Sequence, residues 1–198
     1  MESLELLRSR PVRERADAAR NREKVLAAAA KLFAEKGVEA VSMDAIAAEA
    51  GVGKGTLFRR FGDKSGLAVA LLDAREHELQ ERILSGPPPL GPGAAAPDRL
   101  VAFFTAYLDY LLAHLDLVRM SETASQGARY RIGAYRFWHR HVAILLAEAG
   151  PGRDADALSH TLLAAVAAEV VEVLRDELGE ARARAGVTEL ARAVCSTA

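Results

Sequence analysis

Glycine punctuation constrains this chain more tightly than any other feature. Two eight-residue stretches, 43–50 and 54–61, lie on either side of the turn Gly51-Val52-Gly53. Ser42 is a suitable N-cap for the first stretch. Asp44 in its first turn suits the positive end of the helix dipole. In the second stretch Leu57 and Phe61 stand one turn apart, and Gly62 ends it. Before both, residues 17–36 carry the apolar stripe Val25, Leu26, Ala29, Leu32 and Phe33, the spacing of one helix face, and Gly37 follows as a C-terminal stop. Two short helices joined by a tight glycine turn, leaning on a longer one, read as a helix-turn-helix. Gly51 and Gly53 are expected to supply backbone conformations that side chains disfavour. Ile46 and Ala47 should bury against the first helix. Leu57 and Phe61 form the inner face of the second short helix. Lys54, Thr56, Arg59 and Arg60 remain outside, on a rod of the width that enters a major groove.

Charge supports that polarity. The chain has 198 residues and a formal net charge of -1. Residues 1–66 hold thirteen Lys and Arg against ten Asp and Glu, whereas the remainder is net acidic. Within residues 8–24 seven basic residues face three acidic ones. Positive charge gathered at one end is expected where only that end meets phosphates. Residues 1–16 read as a basic flexible arm, 17–66 as the DNA-binding domain and 67–198 as a second helical domain.

The rest of the chain also reads as helix, because Ala, Leu, Glu and Arg dominate and β-branched runs are short. Asp63 can cap a helix over 64–84. Residues 85–97, SGPPPLGPGAAAP, hold five of the seven prolines and form a loop. Helices follow over 98–115, 117–125, 130–149, 154–178 and 187–195. The fold class is all-α, with about nine helices. No apolar run approaches a membrane span, and residues 1–80 contain no apolar signal-peptide core, so a soluble cytoplasmic protein is expected. A single cysteine, Cys195, excludes an internal disulfide framework or a multi-cysteine metal site.

GVGKGT at 51–56 looks like a phosphate-binding loop but is not one. That motif needs Ser or Thr after its lysine and a glycine at position 48, where the chain has Gly55 and Ala48. No G-x-S-x-G, H-E-x-x-H or credible carboxylate pair occurs, so no enzyme is expected. The alternative of a helical enzyme would need a catalytic motif that is not recognisable.

Residues 22–72, through VLAAAAKLFAEKGVEAVSMDAIAAEAGV and GKGTLFRRFGDKSGLAVALL, resemble the N-terminal domain of TetR-family regulators. The resemblance implies that Ser42 and its helix N-terminus touch a phosphate. It places Lys54, Gly55 and Thr56 at base edges and backbone, with Gly55 allowing close approach. Phe58 stands where the family usually has Tyr and lacks its hydroxyl. Arg59 is the candidate for pairing with guanine O6 and N7. Arg60 replaces a common His and adds a phosphate contact. Gly53 replaces a capping Ser. Lys64 matches the family's phosphate-binding lysine.

The family also implies a small-molecule pocket in each subunit. Aromatic residues interleaved with polar ones fit that expectation: Phe104, Tyr107, Tyr110, Met120, Tyr135, Trp138 and His139 are its candidate lining. His139 and His141 are two apart and face different ways on a helix, so no metal site is expected there, and no cofactor. Glu169 and Glu172 interrupt an apolar run and should be paired, exposed or turned to a cationic ligand. Leu158, Leu162, Val166, Val170, Val173, Leu190 and Val194 give the last helices broad apolar faces, which the family pairs as a four-helix bundle between two subunits. The expected partners are a near-palindromic double-stranded operator, a second copy of the chain and a small ligand, without a membrane. A ligand-responsive repressor is the expectation. An activator or a ligand-independent regulator would have the same outline.

Overall fold

The computed structural model describes the backbone of residues 5–196 and the side chains of residues 17–196. Every regular element among them is helical: α1 (Glu5–Lys36), α2 (Met43–Ala50), α3 (Lys54–Phe61), α4 (Lys64–Ser85), α5 (Ala96–Ala113), α6 (Leu115–Thr123), α7 (Ala128–Arg131), α8 (Gly133–Ala149), α9 (Ala155–Ala164), α10 (Ala168–Leu178) and α11 (Glu180–Ser196). No single helix among the described residues is long and apolar enough to cross a membrane. The chain divides into two compact units between Leu71 and Leu72, slightly beyond the expected boundary at 66/67, so α4 begins in one unit and ends in the other. α1 starts at Glu5, not near residue 17. Residues 5–16, read from sequence as an arm, have helical backbone. Residues 1–4 of that arm lie outside the described residues.

The first unit folds as its punctuation demands. Gly37 at φ 80° closes α1, its N–H donating to the Phe33 carbonyl at 2.9 Å. The Ser42 side chain accepts from the Ala45 N–H at 3.1 Å, and Gly51 at φ 63° caps the other end of α2. Only Gly51 of the turn pair needs a left-handed backbone. Gly53 sits at φ -68°, ψ 138°, where any residue fits, and no side chain caps α3. Asp63 caps α4 by accepting from the Gly66 N–H at 2.9 Å. Val25, Ala29, Leu32, Phe33, Ile46, Ala47 and Leu57 are buried, and α1 packs on α2 and α2 on α3.

The second unit builds its core from α5, α8, α9 and α11 around Phe103, Leu108, Leu111, Trp138, Leu145 and Leu163. The proline-rich loop closes through Gly91 N–H to the Pro87 carbonyl at 3.0 Å and buries Leu90. Three expected boundaries move. The helix expected over 130–149 divides at Ile132, whose backbone is extended. The last helix starts at Glu180, because Gly179 at φ 83° ends α10 without needing a linker. The long helix expected over 154–178 breaks into α9 and α10 with neither glycine nor proline at the break. A buried ion pair makes that break instead. Glu122 accepts from the Ala168 N–H at 2.9 Å, capping α10, and Arg129 donates to the Leu163 carbonyl at 2.8 Å, capping the last turn of α9. Arg129 also donates to Glu122, so each charge is matched while it satisfies a helix end.

Candidate nucleic-acid interface and ligand cavity

α3 has one buried face and one wet face. Leu57 is 1% exposed and anchors the helix, while Lys54, Gly55, Phe58, Arg59 and Arg60 lie at the surface and Thr56 is partly covered. Phe58 is 45% exposed, an apolar ring with no core to fill. A Cβ at Gly55 would find nothing within 4 Å, so the protein itself does not require glycine there.

The basic side chains around α3 are not equivalent. Lys54 is paired across the turn with Asp44 at 2.5 Å. Arg60 reaches back to α1 and donates to the Ala18 carbonyl at 2.6 Å. Lys64 donates all three ammonium hydrogens to the loop between α1 and α2: to Val38 O at 2.9 Å, Glu39 O at 3.1 Å and Val41 O at 3.1 Å. That arrangement makes Lys64 a clasp on the helix-turn-helix, with its three hydrogens engaged inside the protein where the family pattern suggested a phosphate contact. Arg60 likewise uses part of its fork on α1, where the sequence suggested a phosphate. Arg59 makes no hydrogen bond or ion pair with the described residues. It projects from a helix whose neighbours are all tied down, with five donors available for a nucleotide.

The second unit holds a small cavity of about 20 Å³, room for about one water. Tyr107, Tyr110, Tyr135 and Trp138, four of the residues the sequence suggested for a pocket, line it. Glu76, Ser121, Glu122 and Arg129 line it as well. The ring centroids of Tyr107 and Trp138 are 5.8 Å apart, and those of Tyr107 and Tyr110 5.9 Å. The Tyr110 hydroxyl donates to Glu76 at 3.0 Å. Burial holds the Glu76 carboxyl above the usual carboxylate range, and burial likewise pushes the Tyr107 and Tyr110 hydroxyls well up. Glu122 and Arg129 neutralise each other, whereas Glu76 makes no ion pair with the described residues. Sequence inspection missed Glu76, Glu122 and Arg129, since each sits among charged neighbours in surface-like stretches.

Three other pocket candidates lie elsewhere. Phe104 is sealed in the core, Met120 is partly buried away from the cavity, and His139 stands beside Asp156 and His160. Glu172 pairs with Arg119 at 3.5 Å, and Glu169 is exposed. A second, larger hollow of about 860 Å³ is open to solvent beside α5 and α11, lined in part by Arg82, Leu90, Val101 and Asp109. The apolar face expected for dimerisation is also redistributed. Leu162 and Val166 are buried in their own unit's core, 3% and 0% exposed, so they cannot meet a partner. Leu158 and Val194 pack partly against that core. Val170, Val173 and Leu190 remain exposed, joined by Leu178.

Comparison with known proteins agrees with this geometry. Residues 25–71 match the family model of bacterial regulatory proteins, tetR family. An HTH-type transcriptional regulator of Staphylococcus aureus strain USA300 is 55% identical over 58 residues, which is 29% of this chain and 31% of the relative. The chain therefore spans less than a third of the length of the curated relatives it matches. Among solved structures, a TetR-family transcriptional regulator from Pectobacterium atrosepticum superposes with a TM-score of 0.64 at 25% identity, covering 89% of this chain and 93% of that one. Thermus thermophilus FadR, a TetR-family transcriptional repressor in complex with lauroyl-CoA, gives 0.65 at 18% identity over 88% and 92%. A transcriptional regulator from Saccharomonospora viridis in complex with choline gives 0.58 at 22% identity over 85% and 94%.

Proposed function

We propose that this chain, whose residues 25–71 match the tetR family of bacterial regulatory proteins, is a homodimeric repressor of that family, released from a near-palindromic operator by a small molecule. The match to DNA-binding regulators over residues 25–71 supports this reading over the helical-enzyme alternative. The observation that carries the DNA reading is the outer face of α3: Arg59 is exposed and has no partner among the described residues, on a helix braced by Leu57, Lys54, Arg60 and the Lys64 clasp. A guanidinium held in that way can pair with a guanine in the major groove, while Ser42 at the N-terminus of α2 meets the backbone. A protein that reads chromosomal DNA works in the cytoplasm.

Dimerisation follows from what is left uncovered. Val170, Val173, Leu178 and Leu190 are 38–53% exposed, an apolar face that a second copy would bury. Two-fold pairing would set two recognition helices about one DNA turn apart. The inducer site is the small cavity. The Glu76 carboxylate, which has no ion-pair partner among the described residues, and the rings of Tyr107, Tyr110 and Trp138 favour a small organic cation, and choline in the Saccharomonospora neighbour is of that class. A cavity with room for about one water must open to admit it. Glu76 and Lys64 lie on the same helix, α4, so opening at one end biases the clasp at the other.

The test is selection of bound duplexes from a random pool with the purified protein. A symmetric site is expected. Arg59→Ala should relax one position per half-site, at a cost of about 1–3 kcal/mol in discrimination. Retained discrimination at every position would refute the role of Arg59. Equal affinity for operator with and without a stabilising amine would refute the induction mechanism.

A further inference from the structure

α8 and α9 pack against one another, and their contact assembles three donors that the sequence scatters. His139 comes from α8, and Asp156 and His160 from α9, where a spacing of four residues puts both on one face. One ligating atom from each of the three lies within 4.8 Å of those of the other two. His139 Nε2 stands 3.4 Å from an Asp156 carboxylate oxygen. The His139 and His160 rings are 4.0 Å apart, centre to centre.

Two independent features point to an ion between them. His139 Nε2 is buried and makes no hydrogen bond, its approach to the Asp156 carboxylate at 3.4 Å lacking the geometry of one, an expensive state for an imidazole. The second feature is an outer hydrogen-bond partner for His160. The Tyr135 hydroxyl lies 2.7 Å from His160 Nδ1. In the tautomer whose Nδ1–H donates to that oxygen, His160 Nε2 keeps its lone pair for an ion, the support a metal-bound histidine normally receives. Asp156 has a 79% exposed side chain and gives an ion a route in from solvent.

We propose that His139, Asp156 and His160 form a binding site for a divalent first-row transition ion of the Zn²⁺ class, with water completing its shell. Two imidazoles and one carboxylate are a borderline donor set suited to Zn²⁺, Co²⁺ or Ni²⁺ and poorly suited to Mg²⁺ or Ca²⁺. Bonds of about 2.0–2.1 Å in a tetrahedral shell put donors about 3.3 Å apart, so the His139–Asp156 separation already fits and the His160 donor must move closer on binding. The ion would staple α8 to α9. It would also act on Tyr135, whose ring lines the small cavity while its hydroxyl orients His160. The site itself does not depend on the regulatory reading.

The experiment is titration of the metal-free, tag-free full chain with Co²⁺, followed by visible absorption, and then displacement by Zn²⁺. One ion per chain is expected, with d–d bands of tetrahedral or five-coordinate intensity and loss of those bands on adding Zn²⁺. Asp156→Asn and His160→Ala alter exposed side chains and should each weaken binding by at least about 10-fold, leaving the metal-free melting temperature within about a degree. His141→Ala should leave the bands unchanged. Absence of saturable binding by the unaltered chain would overturn the assignment, as would binding that survives both substitutions at full strength. If either variant loses its fold in the metal-free melt, Tyr135→Phe, which removes only the outer hydrogen bond, replaces it: a weaker site is expected, and an unchanged one overturns the assignment.

Discussion

Replacing Lys64 by Met distinguishes the clasp from a phosphate contact, because methionine keeps the aliphatic stem and removes the three donors. The ammonium holds the Val38, Glu39 and Val41 carbonyls at 2.9–3.1 Å. The Glu39 bond is exposed, and water would replace it at little cost. Those to Val38 and Val41 are part-buried. A hydrogen bond to a charged donor contributes about 1.5–3 kcal/mol. Two such bonds sharing one ammonium, with partial hydration after its loss, come to about 2–4 kcal/mol. The chain has one tryptophan, Trp138, and it lies in the second unit. Its fluorescence therefore follows that unit, whereas circular dichroism follows both. Urea melts of Lys64→Met should show part of the dichroism transition moving to lower denaturant, away from the fluorescence transition. The salt dependence of operator binding should keep its slope. A melt that does not move, with a log–log salt slope shallower by about one, would mean that Lys64 neutralises a phosphate and would refute the clasp.

Three further outcomes follow from the same packing. A Cβ at Gly66 would lie 1.8 Å from the Phe61 carbonyl oxygen, so Gly66→Ala should destabilise the α3–α4 turn by about 3 kcal/mol; a thermal melt equal to that of the unaltered chain would contradict this. Arg129→Met leaves Glu122 buried without its partner and should cost about 3–5 kcal/mol, whereas adding Glu122→Leu should recover part of it, the Ala168 N–H and Leu163 carbonyl staying uncapped. The readout is Trp138 fluorescence in urea, and equal losses in the single and double variants would count against the pair. Glu76 is held above its ordinary value of 4.5 by burial. The stability it lends is full below pH 4.5 and is lost as pH rises through the folded-state value. Glu76→Gln should remove that decline, measured as the difference in urea midpoint between pH 4 and pH 7, and an unchanged difference would exclude Glu76 as its source.

What the sequence determined by itself was whatever acts over one or two turns of chain. The Ser42 cap, the left-handed Gly51, the Asp63 cap and the buried face of Leu57 are interactions between residues at most four apart, and a period of 3.6 carries them. The helix-turn-helix and its exposed Arg59 were legible for that reason. What only the tertiary structure decided depends on partners far along the chain. Glu122 caps α10 from 46 residues away, so a helix that looked continuous is broken without a breaker in its own sequence. That break places Leu162 and Val166 in their own unit's core, although their apolar spacing alone suited a partner equally well. Lys64 meets carbonyls more than twenty residues back, and His139 meets His160 from the next helix rather than His141 from its own. Periodicity tells which residues avoid water; it does not tell what covers them. That is decided when helices pack, because buried charges and donors accept only those arrangements that leave them satisfied.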